Sequence, residues 1–296
     1  MDTVTLRNGL LTAQISPLGA ELQSLRDAAG MERLYQGDSP FWAARAPVLF
    51  PIAGALRHNR YTLAGKTYEM PPHGFVRTQR FAVDEACETS ATFLCQAFDA
   101  GFPFDYAFRV RFTLVGRSLR VAHITDNCGR EPFYFCVGGH EGYATPEGIA
   151  HYEVAFSQEE PLRIGVLDGN LLTHETAPIA APGGVLALKD SDFQNDALVF
   201  SGLRSKSVTL RSRFDGRAVC VDFAGYGSVL LWTKPGAPFL CIEPWTNGPD
   251  YTDSDGCIEH KRGAICLRPG ERDIREHTIT VMESTSNDMQ EKRCCK

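Results

Sequence analysis

The 296-residue chain is short of the features that mark several common protein classes. No apolar run approaches the roughly 18 residues a membrane-spanning helix needs. The opening Met1-Asp2-Thr3-Val4 has no basic region leading into an apolar stretch. A cytoplasmic protein is therefore expected. Positive charge is not in surplus: 30 Lys+Arg stand against 36 Asp+Glu, a formal charge of −6. Neither nucleic acid nor an anionic membrane is expected as a partner. Ten cysteines are scattered without C-x-x-C spacing, which fits reduced thiols and argues against a zinc site. No H-E-x-x-H, no G-x-S-x-G and no glycine-rich phosphate loop opening a helix occurs. Asp253-Ser254-Asp255-Gly256 starts like a calcium loop, but the later acidic ligands are missing. Helical periodicity is scarce too, with single turns expected only at Glu159 to Leu162 and Asp190 to Phe193.

What is present is a period of two. Leu11, Ala13 and Ile15 alternate with Thr12, Gln14 and Ser16, and Phe108, Val110, Phe112 and Leu114 alternate with Arg109, Arg111 and Thr113. Turn signals separate such runs at Gly116-Arg117-Ser118, Phe214-Asp215-Gly216, Ala64-Gly65-Lys66 and Pro269-Gly270-Glu271. The fold class expected is all-β, sheet packed on sheet as an antiparallel β-sandwich. No composition shift marks a linker, so one domain is expected over 1–283, followed by a polar, frayed tail over 284–296. Function is not expected of the vicinal Cys294-Cys295 pair in that tail. Cys220, Cys241 and Cys266 lie in strand-like runs and are expected to be buried as small hydrophobes.

Four stretches break the strand pattern with Gly, Pro and polar residues among aromatics. They are Pro47 to Tyr61, Met70 to Arg77, Val137 to Tyr143 and Cys241 to Asp250. Glu243 follows Phe239-Leu240-Cys241-Ile242 and precedes Pro244, which reads as a strand end where pairing stops. Such an acid is either a solvated loop residue or a carboxylate held in a polar cleft. His140 follows two glycines that leave room for close approach, and His73 sits between Pro72 and Gly74. Single loop histidines are commonly structural. Two of them, with Glu243 and Arg57 in similar loops, point to a site.

Together these stretches resemble the aldose 1-epimerase (galactose mutarotase) family, most closely its bacterial LacX-like branch. The resemblance rests on Phe41-Trp42, Pro47-Val48-Leu49-Phe50-Pro51, Met70-Pro71-Pro72-His73-Gly74-Phe75-Val76-Arg77, Gly138-Gly139-His140, Asn195-Asp196-Ala197-Leu198, Ile242-Glu243-Pro244-Trp245 and Leu267-Arg268-Pro269-Gly270-Glu271. It implies the galactose mutarotase-like supersandwich and a cofactor-free interconversion of the α and β anomers of a sugar. It places the catalytic glutamate at Glu243 and the catalytic histidine at His140. His73, Arg57 and Asp196 fall on sugar-contacting positions. Trp245 could stack on the sugar or simply pack the core. One departure stands out: Glu141-Gly142-Tyr143 follows His140 where the family usually has Pro-Ala-Phe. An acid there either holds His140 as imidazolium or points to solvent. A hexose 6-phosphate substrate, with Arg45 and Arg77 as phosphate ligands, is an alternative. A carbohydrate-binding protein without turnover and a ligand-free structural sandwich are two others. An exposed sheet edge offers a route to a homodimer.

Overall fold

The computed structural model describes residues 3–38 and 40–282, so the Cys294-Cys295 segment lies outside the described residues. Its elements are almost all strands. The larger sheet has nine, in the order Val185–Ala187, Tyr152–Phe156, Ser207–Ser212, Ala218–Asp222, Arg272–Met282, Ser118–Asn127, Tyr106–Val115, Ser90–Cys95 and Ala82–Ala86. A second sheet of six runs Glu141–Ala144, Phe239–Trp245, Ser228–Trp232, Leu198–Ser201, Arg163–Asp168 and Leu171–Pro178. Pairing is antiparallel throughout both. One hydrophobic cluster takes Phe108, Phe112 and Val121 from the nine-stranded sheet and Phe200, Leu231, Leu240 and Ile242 from the six-stranded one. The core therefore lies between the two sheets, as the alternating pattern predicts.

The hairpin turns fall where glycine was expected to permit them. Tyr106–Val115 pairs with Ser118–Asn127 across Gly116 at φ +56°, and Ser207–Ser212 pairs with Ala218–Asp222 across the Gly216 turn at φ +74°. Pro269-Gly270-Glu271 also turns, but the strands beside it part company. Ile265–Leu267 pairs with Phe133–Phe135, whereas Arg272–Met282 enters the nine-stranded sheet. The helical turn at Asp190–Phe193 is present as a 3-10 turn. The one expected over 159–162 is absent, because Pro161 disfavours a helical residue before it. Of the three cysteines expected to be buried, only Cys241 is. Cys220 is half-buried on the outer face of its sheet, and Cys266 is exposed on a two-stranded ribbon.

The strand that carries Glu243 is buried on both faces, and it does not end at Pro244. Glu243, Pro244 and Trp245 pair with Leu230, Val229 and Ser228. Proline is tolerated because its nitrogen faces Gly139, whose N–H donates to the Pro244 carbonyl at 3.1 Å and whose own carbonyl takes its donor from the Trp245 Nε1–H at 3.2 Å instead. Leu240 and Ile242 face the core between the sheets. Cys241, Glu243 and Trp245 point the opposite way. Two smaller apolar clusters cover that outer face, one holding Leu49, Ala53, Leu230 and Trp245, the other Tyr35, Trp42, Trp232, Phe239 and Cys241. Glu243 sits where they meet.

Candidate active site

The register brings His140 to Glu243. Glu141 lies opposite Ile242 on the neighbouring strand, and directly opposed residues share a face. Residue 141 therefore joins Ile242 on the core side, and residue 140 turns to the outer side beside Glu243. The His140 Nε2 and a Glu243 carboxylate oxygen are 3.3 Å apart, with the glutamate side chain 2% and the histidine side chain 11% exposed. Gly138 makes the approach possible: a Cβ there would stand 2.5 Å from the Trp245 ring and 2.8 Å from the Pro244 carbonyl.

A cavity of about 380 Å³ opens over this pair, lined by Trp42, His73, Arg77, His140, Asp196, Trp232 and Glu243, among others. Its size lies in the range of small-molecule sites. His140 is held by rings: Trp42 stacks on it at 5.0 Å, Trp232 meets it edge-on at 5.6 Å and His73 at 5.5 Å. Its Nδ1 is buried without a hydrogen-bond partner. His73 adopts φ +67° in its turn, where its N–H donates to the Gly54 carbonyl at 2.9 Å. The Gly54 N–H donates back to the His73 Nδ1 at 3.3 Å. That bond assigns the proton of neutral His73 to Nε2, leaving a donor for a ligand.

Burial controls the charges. It pushes the Glu243 carboxyl well above the usual carboxylate range, and the charges of Glu141 and Asp196 push the same way. It drives the His140 imidazole well below its usual value, helped by His73. For His73, burial and then Arg77 bring the value down to about 4. The free protein thus favours a carboxylic acid beside a neutral imidazole. Neither of the two readings for an acid at 141 holds: Glu141 is buried, not in solvent, and it turns to the core, away from the His140 ring, where it reaches His277 at 2.9 Å.

Glu243, His140, His73 and Asp196 meet at the cavity. Arg57 is not among them. Its guanidinium donates to the Ser254 carbonyl at 2.9 Å, at a separate cavity with Asp255 and Gly256. Trp245 is 3% exposed, donates its Nε1–H to the Gly139 carbonyl at 3.2 Å and meets His73 edge-on, so it packs behind the cavity. Arg77 stands at the cavity and Arg45 does not; the latter donates to the Gln23 carbonyl at 2.9 Å. Trp42 and Trp232 as walls were not singled out from the sequence. The signal available for Trp232 was its place in the run Leu230-Leu231-Trp232, which reads simply as strand. Ligand atoms of His140, Cys241 and Glu243 also lie within 4.8 Å of one another. A metal ion held by them would occupy the same two groups that could transfer protons.

Comparison with known proteins gives the family and the fold. A family described as aldose 1-epimerase matches residues 2–272. The chain is 31% identical to the chromosomal protein LacX of Lactococcus lactis subsp. lactis, over 95% of this chain and 99% of that one. It is similar to the structure of a galactose mutarotase related enzyme from Lactobacillus acidophilus, with a TM-score of 0.90 and 32% identity over 96% and 99% of the two chains. A galactose mutarotase-like protein from Lactobacillus casei superposes with a TM-score of 0.90 at 25% identity, covering 95% and 100%.

Proposed function

The chain belongs to the aldose 1-epimerase family, and on that premise we propose that it interconverts the α and β anomers of a hexose by acid–base ring opening and reclosure. The observation that carries this is the His140–Glu243 pair, 3.3 Å apart at the base of an aromatic-walled cavity. Opening a pyranose removes a proton from the C1 hydroxyl and adds one to the ring oxygen, with no net change. Two groups that share one proton meet that demand. Burial leaves the shared proton on Glu243 in the free protein. Sugar hydroxyls donating to the carboxylate favour its charged form, and the proton then passes to His140. Glu243 takes the C1 proton, His140 gives its own to the ring oxygen, and the roles reverse on reclosure after rotation about C1–C2. Each positioned transfer contributes roughly 10²–10⁴-fold.

The His73 Nε2–H and Arg77 supply donors to sugar oxygens, and Asp196 supplies an acceptor. Trp42 and Trp232 offer apolar faces to the carbon side of the ring. Arg77 also favours a second reading, a phosphorylated hexose. It is exposed at the cavity, and its guanidinium donates to the Pro72 carbonyl at 3.3 Å, which leaves donors for an anion. The intact acid–base pair favours turnover over a carbohydrate-binding role.

Anomer exchange of glucose, galactose and their 6-phosphates, followed by NMR saturation transfer, tests the proposal. Exchange above the buffer rate is expected, collapsing in folded Glu243→Gln and His140→Asn. No exchange with any of these sugars, despite measurable binding, would leave a binding protein. Arg77→Ala should raise KM more for the phosphorylated sugar than for the free one if the phosphorylated sugar is the substrate.

A further inference from the structure

Beneath His140, on the core side of the same sheet, lies a polar chain that the proton transfer does not use. Glu141 is 5% exposed, and one of its carboxylate oxygens is 2.9 Å from the His277 Nε2. His277 is fully buried at an inward position of the strand Arg272–Met282 in the opposite sheet, in line with Ile279 and Val281. Its Nδ1 is 3.5 Å from the Tyr226 hydroxyl, which is 2.9 Å from the Nδ1 of buried His123. The His123 Nε2 has no partner. Leaving an acceptor bare costs less than leaving an N–H bare. The tautomers that satisfy every donor therefore run one way: His123 Nδ1–H to Tyr226, the Tyr226 hydroxyl to the His277 Nδ1, and the His277 Nε2–H to Glu141. The chain ends on a carboxylate whose second oxygen is buried without a partner.

That carboxylate is built into the backbone carrying His140. A Cβ at residue 139 would stand 2.6 and 2.7 Å from its two oxygens, so the carboxylate can lie there only because residue 139 is glycine. Gly139 is bonded on both sides, through its N–H to Pro244 and its carbonyl to Trp245. Among the described residues, the His140 side chain is anchored by packed rings and Glu243 alone. We infer that Glu141, held by His277 across the sandwich, is a positioning residue: it fixes the backbone of His140 and so the placement of His140 beside Glu243. This rests on the acid–base reading of the cavity.

Around Glu141, Tyr143 on its own strand and Tyr226 from the opposite side are pushed upward by burial, with Glu141 adding to it, and stay protonated at neutral pH. Cys241, on the other face of the sheet, is pushed upward by burial, then by Glu243 and Glu141. His123 is pushed down by burial and then by His277, and stays neutral. Arg275, the cation near Tyr226, is paired with Asp273 at 2.8 Å. The Glu141 charge is accordingly felt by Glu243, in the sense that raises its value.

The test is Glu141→Gln, read two ways. In the pH profile of kcat, the acid limb should move to lower pH by on the order of one unit, with KM within about twofold and kcat reduced. Independently of turnover, NMR titration of the carboxyl-labelled Glu243 should show the same downward move. If this variant does not fold, Glu141→Leu/His277→Phe replaces both polar partners by apolar groups and is read in the same way. A folded variant that loses stability while Glu243 titrates as in wild type would overturn the inference, making Glu141 a packing residue only. If no protein in the series exchanges anomers but the Glu243 titration moves, the electrostatic link stands and the activity reading falls.

Discussion

Lys261 and Asp250 form an ion pair at 2.6 Å with each side chain only 4% exposed. Asp250 accepts the Arg57 N–H through its other oxygen at 3.0 Å, and its own N–H donates to the Ala55 carbonyl at 2.9 Å. The pair thus ties the segment leaving the Glu243 strand to the segment that holds His73 through Gly54. Removing one partner strands the other in a dry site. Lys261→Met is expected to cost about 3–5 kcal/mol, measured by urea unfolding, and Asp250→Asn/Lys261→Met should cost less than the sum of the single changes. Strict additivity would mean that the two charges do not interact.

Acid should weaken the fold through half-buried His73. The His73 value falls from 6.5 unfolded to about 4 folded, so between those values the unfolded chain binds the extra proton. The stability from keeping His73 neutral is full above pH 6.5 and declines as pH falls toward 4. One unit corresponds to about 1.4 kcal/mol, so the loss can reach about 3 kcal/mol. His73→Gln should flatten the pH dependence of urea unfolding in this window. An unchanged slope would show that His73 titrates normally.

Trp42 both walls the cavity and stacks on His140 at 5.0 Å. Trp42→Ala should raise KM by roughly 2–10-fold, the worth of one aromatic contact, and also lower kcat by loosening His140. A change in neither, from steady-state exchange kinetics, would remove Trp42 from the site.

Gly138→Ala places a methyl 2.5 Å from the Trp245 ring. Overpacking of this kind costs about 1–3 kcal/mol, and the backbone beside His140 must shift to relieve it. The variant should melt earlier by calorimetry and exchange anomers more slowly while remaining folded.

Most of the fold was legible because alternation survives in strands with one face in water. Tyr106–Val115 buries Phe108, Val110 and Phe112 and leaves Arg111 exposed. The strand Phe239–Trp245 was harder, being buried on both faces, and Pro244 suggested an end that is avoided because the Trp245 indole supplies the donor that proline lacks. Arg57 and Arg77 sit in similar Gly/Pro-rich loops, and nothing local says which turns inward. In the structure His58 and Asn59 adopt φ +59° and +53° at the Arg57 turn, whose guanidinium goes to Ser254. The side taken by Glu141 depends on its pairing with Ile242, about a hundred residues away, and no local pattern encodes that register.

Along the Glu243 strand, neighbouring positions have separate duties: 241, 243 and 245 face the covering loops, and 240 and 242 face the other sheet. Inserting or deleting one residue there would exchange the two sets at a stroke, sending an isoleucine or a proline to the cavity and the acid to the interior. Substitution and length change should therefore have opposite tolerances. Length changes in the loops bearing Trp42, His73 and Asp196 should reshape the cavity without inverting a strand, while a one-residue change in this strand should abolish the site.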